Sequence, residues 1–173
     1  IQDSLVGSEM CIRDRLGDGT GDSTTQGMVP AATFHFYQLE ADSSGILARW
    51  GSLYDMFSHS YQQNARIQTN SWGNENLVGE YSSDSRSVDA YLVNEPSFLV
   101  LFSAGDLGEN GYQSITPPGT AKNVLTIGSS TTGSFDSPPP GDVSFSSSKG
   151  TTFDGRIKPC LLYTSPSPRD YPG

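Results

Sequence analysis

Side chains that commonly carry catalytic or metal chemistry are few and widely spaced in this sequence. The two histidines are His35 and His59, and the two cysteines, Cys11 and Cys160, lie near opposite ends. The sequence contains no Gly-x-Ser-x-Gly turn for a serine nucleophile and no spaced His, Cys and carboxylate set for a metal. Because His35 alternates along a strand-like segment and His59 sits on a helix flank, we interpret both as structural or surface residues.

Residues 17–22, Gly-Asp-Gly-Thr-Gly-Asp, superficially suggest a phosphate-binding loop. Such a loop needs a preceding strand and a following Gly-Lys-Ser/Thr, and neither is present. We therefore interpret this segment as a plain surface loop.

Two glycine-containing segments are stronger candidates for a functional site. They are residues 70–73, Asn-Ser-Trp-Gly, and residues 103–106, Ser-Ala-Gly-Asp, and each ends a predicted strand. Open parallel sheets bind ligands outside the carboxyl ends of their strands. A glycine at a strand tip lets another backbone approach closely, where any side chain would block it. The alternative is that Gly73 and Gly105 are only turn glycines.

The elements that must position these segments follow from residue type and periodicity. We predict four strands, at residues 32–39, 66–72, 97–103 and 124–128. The third is almost wholly apolar, which is typical of a strand buried on both faces by helices. The Ser, Thr, Gly and Pro-rich residues 129–141 predict a surface loop.

Two amphipathic helices are predicted between the first three strands. The first begins at Ser43 or Ser44 and repeats apolar residues every three or four positions, namely Leu47, Trp50, Tyr54, Phe57 and Tyr61. The second begins at an Asp84 cap and is stopped by Pro96. Alternating strands and helices predict right-handed crossovers and a three-layer α/β architecture with a parallel sheet.

Composition excludes several classes of partner. A chain of 173 residues with 34% hydrophobic residues is within the range of a single globular domain. Its formal charge of −9 argues against a nucleic acid or an anionic membrane surface as partner. The longest fully apolar run, residues 98–102, is far shorter than the roughly 20 residues that cross a bilayer. The sequence therefore predicts a single globular α/β domain without a transmembrane helix.

Further motifs occur in a fixed order along residues 16–159. They are residues 65–73 (Ala-Arg-Ile-Gln-Thr-Asn-Ser-Trp-Gly) with 84–86 (Asp-Ser-Arg), 102–106 (Phe-Ser-Ala-Gly-Asp), 118–123 (Pro-Gly-Thr-Ala-Lys-Asn), 145–147 (Phe-Ser-Ser) and 154–159 (Asp-Gly-Arg-Ile-Lys-Pro). Together they resemble the centre of a subtilisin-like serine protease domain, of the subtilase or peptidase S8 family. A match to Ser-Trp-Gly alone would be weak evidence for this resemblance, whereas five matches in the same order are specific evidence.

The resemblance implies an incomplete subtilisin-like fold, its central portion only, and serine endopeptidase activity. Ser71, Trp72 and Gly73 are implied to be the edge segment on which an extended peptide substrate adds as an antiparallel strand. Ala104 and Gly105 are implied to line the pocket for the residue before the scissile bond. The resemblance also makes the bond before Pro118 a candidate cis peptide, against a base rate of roughly 5% for X–Pro bonds.

Asp106 stands at the position where the family usually carries an oxyanion-hole Asn. That Asn donates its amide N–H to the developing oxyanion, and an ionised Asp cannot donate. Either the enzyme relies on backbone N–H groups and is slow, or it keeps Asp106 protonated, which favours acidic pH. A third alternative is that Asp106 points away and only shapes the turn. Residues 148–152 also depart from the family, being one residue longer and lacking its Arg and Pro.

Both ends of the chain differ in character from residues 16–159, which we interpret as a partial peptidase domain. Residues 1–15 and 160–173 share no periodicity with the interior and resemble translated sequencing-adapter read-through. The alternative is a pair of ordinary irregular termini. The family's triad Asp and His would precede residue 16 and its Ser would follow residue 159. We therefore expect the chain as given to be triad-less and inactive.

The remaining expectations rest on family analogy. No cofactor is expected, and a structural calcium ion would follow from analogy only. The expected partner is a polypeptide substrate, and the full-length enzyme is expected to be a monomer, secreted or lumenal by analogy alone. Two other functions stay open, a non-catalytic α/β binding module and a subtilisin-like pseudoprotease. The binding module would need a ligand loop, which the sequence does not reveal.

Overall fold

The computed structural model of the chain describes residues 16, 18–20, 26–37, 39, 51–131 and 141–163. Two compact units are present, one of Ile1–Arg49 with Ser165–Gly173 and one of Trp50–Thr164. The predicted sheet lies in the second unit.

The strand predicted at residues 32–39 is wrong. Residues 32–37 and Leu39 belong to no strand, and Phe34 and Phe36 are 41% and 50% exposed. Their rings lie against each other, with centroids 6.3 Å apart. Aromatic residues favour strands only where a neighbouring strand pairs with them, because the propensity reflects a fit to a half-buried sheet surface. His35 is thus an exposed residue on an irregular segment.

A four-stranded parallel sheet forms the centre of the second unit and confirms the predicted α/β fold class. Its strands are β1 (Ile67–Asn70), β2 (Leu99–Ser103), β3 (Leu125–Ser129) and β6 (Leu161–Tyr163). Between β3 and β6 the chain forms a separate antiparallel pair, β4 (Gly150–Thr151) and β5 (Ile157–Lys158). The order across the sheet is β1-β2-β3-β6, and all three pairings are parallel. Three of the four predicted strands are therefore present, within a few residues of the predicted bounds.

Strand β6 lies within the terminal segment 160–173. Leu161 pairs with Ile127 of β3, and the Cys160 N–H donates to the Thr126 carbonyl at 2.8 Å. Because a ladder is made of backbone groups, the sheet edge accepts these residues although their sequence carries no strand alternation.

Two helices accompany the sheet, α1 (Leu53–Gln62) and α2 (Ser83–Asn94). Helix α1 begins after Ser52, so the predicted start at Ser43 or Ser44 is wrong, and residues 43–50 lie outside the described ranges. The Ser52 hydroxyl accepts from the Asp55 N–H at 3.2 Å, and the Asp55 carboxylate accepts from the Ser52 N–H at 2.9 Å. This reciprocal cap satisfies two helix-end donors and fixes where the helix begins.

Helix α2 also begins earlier than predicted. Its cap is Ser82, whose hydroxyl accepts from the Ser85 N–H at 3.2 Å, while Asp84 lies in the first turn. The helix ends at Asn94, before Pro96, as the sequence predicts. Neither α1 nor α2, the α-helices of the described ranges, is long and apolar enough to span a membrane.

Aromatic rings join the two helices to the sheet. Tyr91 of α2 packs against Tyr54 and Phe57 of α1, with ring centroids 4.9 and 5.5 Å apart, and against Phe98 at 5.6 Å. Phe98 shares a face with Val100 and Phe102, which are 0% and 1% exposed. The helices therefore cover this face of the sheet.

The opposite face of the sheet is partly exposed, so the predicted burial of the third strand on both faces is wrong. Leu99 is 43% exposed, and its register partner Ile67 is 65% exposed. Leu161 of β6 shares this face and is 54% exposed. The described residues thus provide the sheet and one helical layer of the predicted three.

The prediction of a surface loop at residues 129–141 is wrong at its first residues. Ser129 ends β3, and the N–H of the buried Thr131 donates to the Asp142 carbonyl at 2.8 Å. Residues 132–140 lie outside the described ranges.

The two faces of β2 give a matched pair of substitutions. We expect Val100→Lys to abolish the folded far-UV circular dichroism spectrum, because burying an unpaired charge costs several kcal/mol. Leu99→Lys should keep the spectrum and reduce light scattering, because it adds charge to an exposed apolar face. Equal loss of the spectrum in both variants would contradict the assigned faces.

Candidate functional site

The two glycine-containing segments meet at one edge of the sheet. Residues 71–73 directly follow β1, and residues 104–106 directly follow β2. Since β1 and β2 are parallel and Asn70 pairs with Phe102, both segments leave the sheet side by side. The structure therefore brings together the six residues that the sequence pointed to, at the carboxyl end of the strands.

The loop that precedes β3 holds both segments. The Thr116 N–H donates to the Ala104 carbonyl at 3.0 Å, and the Asn74 N–H donates to the Pro117 carbonyl at 2.8 Å. The Pro117–Pro118 peptide bond is cis, which confirms the expectation from the resemblance. This loop forms a third wall beside the two strand ends.

Both glycines are required by the close approach of Thr116. A Cβ on Gly73 would lie on the Thr116 side-chain oxygen and 2.9 Å from the Thr116 Cβ. A Cβ on Gly105 would lie 2.7 Å from the Thr116 Oγ1 and 2.9 Å from the Ser148 Oγ, and Gly105 also has φ +107°. The close neighbour is a side chain of this chain and not a second backbone, so the structure explains both glycines without testing whether a substrate backbone approaches them. The glycines signalled a close approach in the sequence, but nothing there identified Thr116.

Ser148 is a second supporting residue that the sequence did not reveal. Its hydroxyl accepts from the Leu107 N–H at 3.0 Å, and its own N–H donates to the Gly105 carbonyl at 2.9 Å. It is fully buried. Ser148 begins the stretch that departs from the family pattern, and it fixes the backbone on both sides of Asp106.

The first segment presents unused backbone groups. Among the described residues, none makes a backbone hydrogen bond to Ser71, Trp72 or Gly73. The Trp72 ring packs edge-on against Phe102, with centroids 5.1 Å apart and an interplanar angle of 82°. The ring thus anchors a segment whose N–H and C=O groups remain available for another chain.

Asp106 is exposed, and its carboxylate has no hydrogen-bond partner among the residues that the structure describes. It lies at the turn between β2 and the short 3₁₀ helix Gly108–Asn110. The described residues around it neither bury the carboxylate nor donate a hydrogen bond to it.

Neither of the two strand-end segments contains a histidine. His59 lies within α1, and His35 lies in the other compact unit. The described ranges also contain no group of three or more His, Cys, Asp or Glu residues that could hold a metal ion. The strand ends therefore offer backbone groups and one carboxylate, which suit binding of an extended chain.

Comparison with known proteins identifies the family. Residues 4–167 match the pattern of the subtilase family, so the chain belongs to the subtilase family. It is similar to the Serine protease/ABC transporter B family protein tagD of Dictyostelium discoideum, with 32% identity over 114 residues, 64% of this chain and 6% of that protein. The tagA protein of the same organism is 30% identical over 121 residues, 66% of this chain and 7% of that protein. The chain thus spans only a small part of these relatives.

Two solved structures show a weaker likeness. The prenylagaramide maturation protease PagA matches with a TM-score of 0.49 and 19% identity, over 74% of this chain and 40% of that one. The S218A mutant of the PatA protease domain matches with a TM-score of 0.42 and 22% identity, over 59% and 33%. The family assignment rests on the sequence match.

Gly73 and Gly105 differ in a way that double substitutions can measure. Gly73→Ala should destabilise the chain mainly through contact with Thr116, so Thr116→Gly should offset most of the loss, with a coupling of about 1–3 kcal/mol. Gly105→Ala should still lower the free energy of unfolding by about 1–2 kcal/mol when Thr116→Gly is also present. The reason is that the positive φ of residue 105 strains any side chain placed there. Urea unfolding of the single and double variants tests this, and equal coupling at both positions would contradict it.

Proposed function

We propose that the ends of β1 and β2 form the substrate-binding part of a serine endopeptidase that cleaves polypeptides. The observation that carries this proposal is the backbone of residues 71–73, which directly follows β1, the first strand in the sheet order, and makes no backbone hydrogen bond with the described residues. An extended substrate can add there as an antiparallel strand, bound through its own main chain. Recognition of main-chain groups predicts a broad range of substrate sequences.

The second segment supplies the pocket in this proposal. Gly105 is half-buried and has no side chain, and the buried Thr116 lies against it. Ala104 is 1% exposed, and its N–H and carbonyl are hydrogen-bonded to Ile127 and Thr116, so it supports the pocket from beneath. The substrate side chain that precedes the scissile bond would enter between these residues and Gly73. Because Thr116 and Ser148 fix the backbone from behind, the pocket is formed before substrate arrives, which reduces the entropic cost of binding.

Asp106 occupies the proposed oxyanion position. Its side chain is exposed and makes no hydrogen bond with a described residue. The family's Asn offers an amide N–H at this position, which a carboxylate does not have. Backbone N–H groups would then stabilise the oxyanion alone. Subtilisin is the standard measured case, in which removing the side-chain donor costs about 10²–10³ in turnover.

Peptidase activity can be tested on the 173-residue chain itself. Neither histidine lies in a family triad motif, so we propose that the 173-residue chain lacks peptidase activity, since nucleophile and base act as a unit. A casein or chromogenic peptide assay of the purified chain should show no turnover. Turnover that a serine-directed covalent inhibitor abolishes would refute the proposal, and a complete subtilase assayed in parallel is the positive control.

Reading the gene on both sides of codons 16 and 159 separates the proposed protease from its alternatives. An upstream Asp and His-Gly-Thr motif together with a downstream Gly-Thr-Ser motif would support a protease. Absence of these motifs would favour a pseudoprotease or a binding module.

The role of Asp106 in turnover can be tested in a longer gene product that carries the triad. Asp106→Asn should raise kcat at pH 7 by about 10-fold or more and flatten the pH profile, because it introduces a neutral amide donor. Glu109→Gln, which removes an equal charge from the neighbouring 3₁₀ helix, should leave kcat unchanged. An unchanged or lower kcat at pH 7 for Asp106→Asn would show that Asp106 is not a deficient oxyanion donor.

A further inference from the structure

A cavity of about 460 Å³ lies beside α2, and its lining contains none of the candidate site residues. It is lined by Tyr81, Arg86, Asp89, Ala90, Val93, Asn94, Lys122 and Asn123. A smaller cavity of about 180 Å³ shares Tyr81 and Arg86 with it. The larger one is wide open to solvent and is a surface depression, not an enclosed pocket.

Two cations of this cavity lack an acidic partner. Arg86 and Lys122 are exposed, and neither forms a salt bridge with a described residue. Arg156, in contrast, is paired with Asp154, because its Nε donates to both carboxylate oxygens at 3.0 and 2.9 Å. In a chain with a formal charge of −9, two adjacent unpaired cations form a local exception that favours an anion.

Asp89, the acid of the cavity lining, is already occupied by three donors. Its Oδ2 accepts from the Tyr81 hydroxyl at 2.7 Å and from the Lys122 backbone N–H at 2.9 Å. Its Oδ1 accepts from the Asn123 N–H at 2.7 Å. Asp89 therefore offsets one of the two positive charges but leaves both cationic side chains without a hydrogen-bonded acceptor.

The Tyr81 ring attracts Lys122 of this lining and Arg156, which lies outside the lining, and not Arg86. The Lys122 Nζ lies 5.2 Å and the Arg156 Cζ 5.4 Å from its ring centroid, within the range of cation–π attraction. Burial, followed by the hydrogen bond to Asp89, raises the pKa of Tyr81 to about 12. Its hydroxyl thus remains the proton donor to Asp89 and adds no further negative charge to the cavity.

We propose that this cavity binds the carboxylate side chains of an acidic polypeptide segment. The Arg86 guanidinium can grip a carboxylate with two parallel hydrogen bonds, and Lys122 adds a second charge. Val93, which is 70% exposed, and Ala90 place apolar surface next to these cations. The methylene groups of a Glu side chain can cover that surface, whereas inorganic phosphate cannot, so the lining favours a carboxylate on an alkyl stem.

Fluorescence anisotropy of a labelled hexaglutamate peptide with the 173-residue chain tests the proposal. We expect saturable binding that weakens as salt shortens the screening length, and no binding of hexaglutamine. Arg86→Gln and Lys122→Gln should each weaken binding about tenfold, since each removes a charge-assisted contact. Lys149→Gln, which removes an equal charge outside the cavity, should leave the affinity unchanged.

A second measurement uses the unaltered chain and so does not depend on the variants folding. Hexaglutamate should protect Lys122 from acetylation, measured by mass spectrometry, and should leave Lys149 reactive. Equal protection of both lysines, or equal affinity of the Gln variants, would overturn the proposal. Binding of inorganic phosphate without binding of hexaglutamate would also overturn it. Neither assay needs peptidase activity, so failure here is distinguishable from failure of the proposed protease function.

Discussion

The contact of Thr116 with two glycines is the constraint on which the candidate site depends. Thr116 is 2% exposed and leaves no room for a Cβ on Gly73 or Gly105. Its N–H also donates to the carbonyl of Ala104, so one residue fixes the ends of both strands. If this loop moved away, the two segments would lose their common wall, and a peptide laid along them would meet no defined pocket. Rigid support of this kind is what a binding site on loops requires.

Helix α2 has a comparable role on its side of the sheet. Its Asp89 carboxylate accepts the N–H groups of Lys122 and Asn123, the residues just before β3. Since the same carboxylate also accepts from Tyr81, it joins the start of α2 to the start of β3 through one buried group. A carboxylate is suited to this position because it can accept several hydrogen bonds at once. The same arrangement places Lys122 in the lining that also contains Arg86.

Sequence reasoning succeeded where the signal is local and repeated. The parallel strands β1, β2 and β3 and the body of α1 and α2 agree with the structure. The cis bond before Pro118 also agrees, but that expectation came from the family resemblance. Sequence reasoning failed at helix starts, because Ser43, Ser44, Ser52, Ser82 and Asp84 are all acceptable caps by type. Only the reciprocal bonds of Ser52 with Asp55 decide where α1 begins. It also failed at residues 32–37, where the residues favour a strand but no strand pairs with them.

What the sequence by itself determined is the class of fold, the membership of the subtilase family and the two segments that form the candidate site. These follow from periodicity and from motifs in which every informative residue lies within a few positions of the next. Only the tertiary structure decided that Thr116 and Ser148 support the glycines, that one sheet face is exposed and that Arg86 lies beside Lys122. Each of these facts joins residues far apart in the chain. Such contacts depend on how the elements pack, which no local pattern specifies.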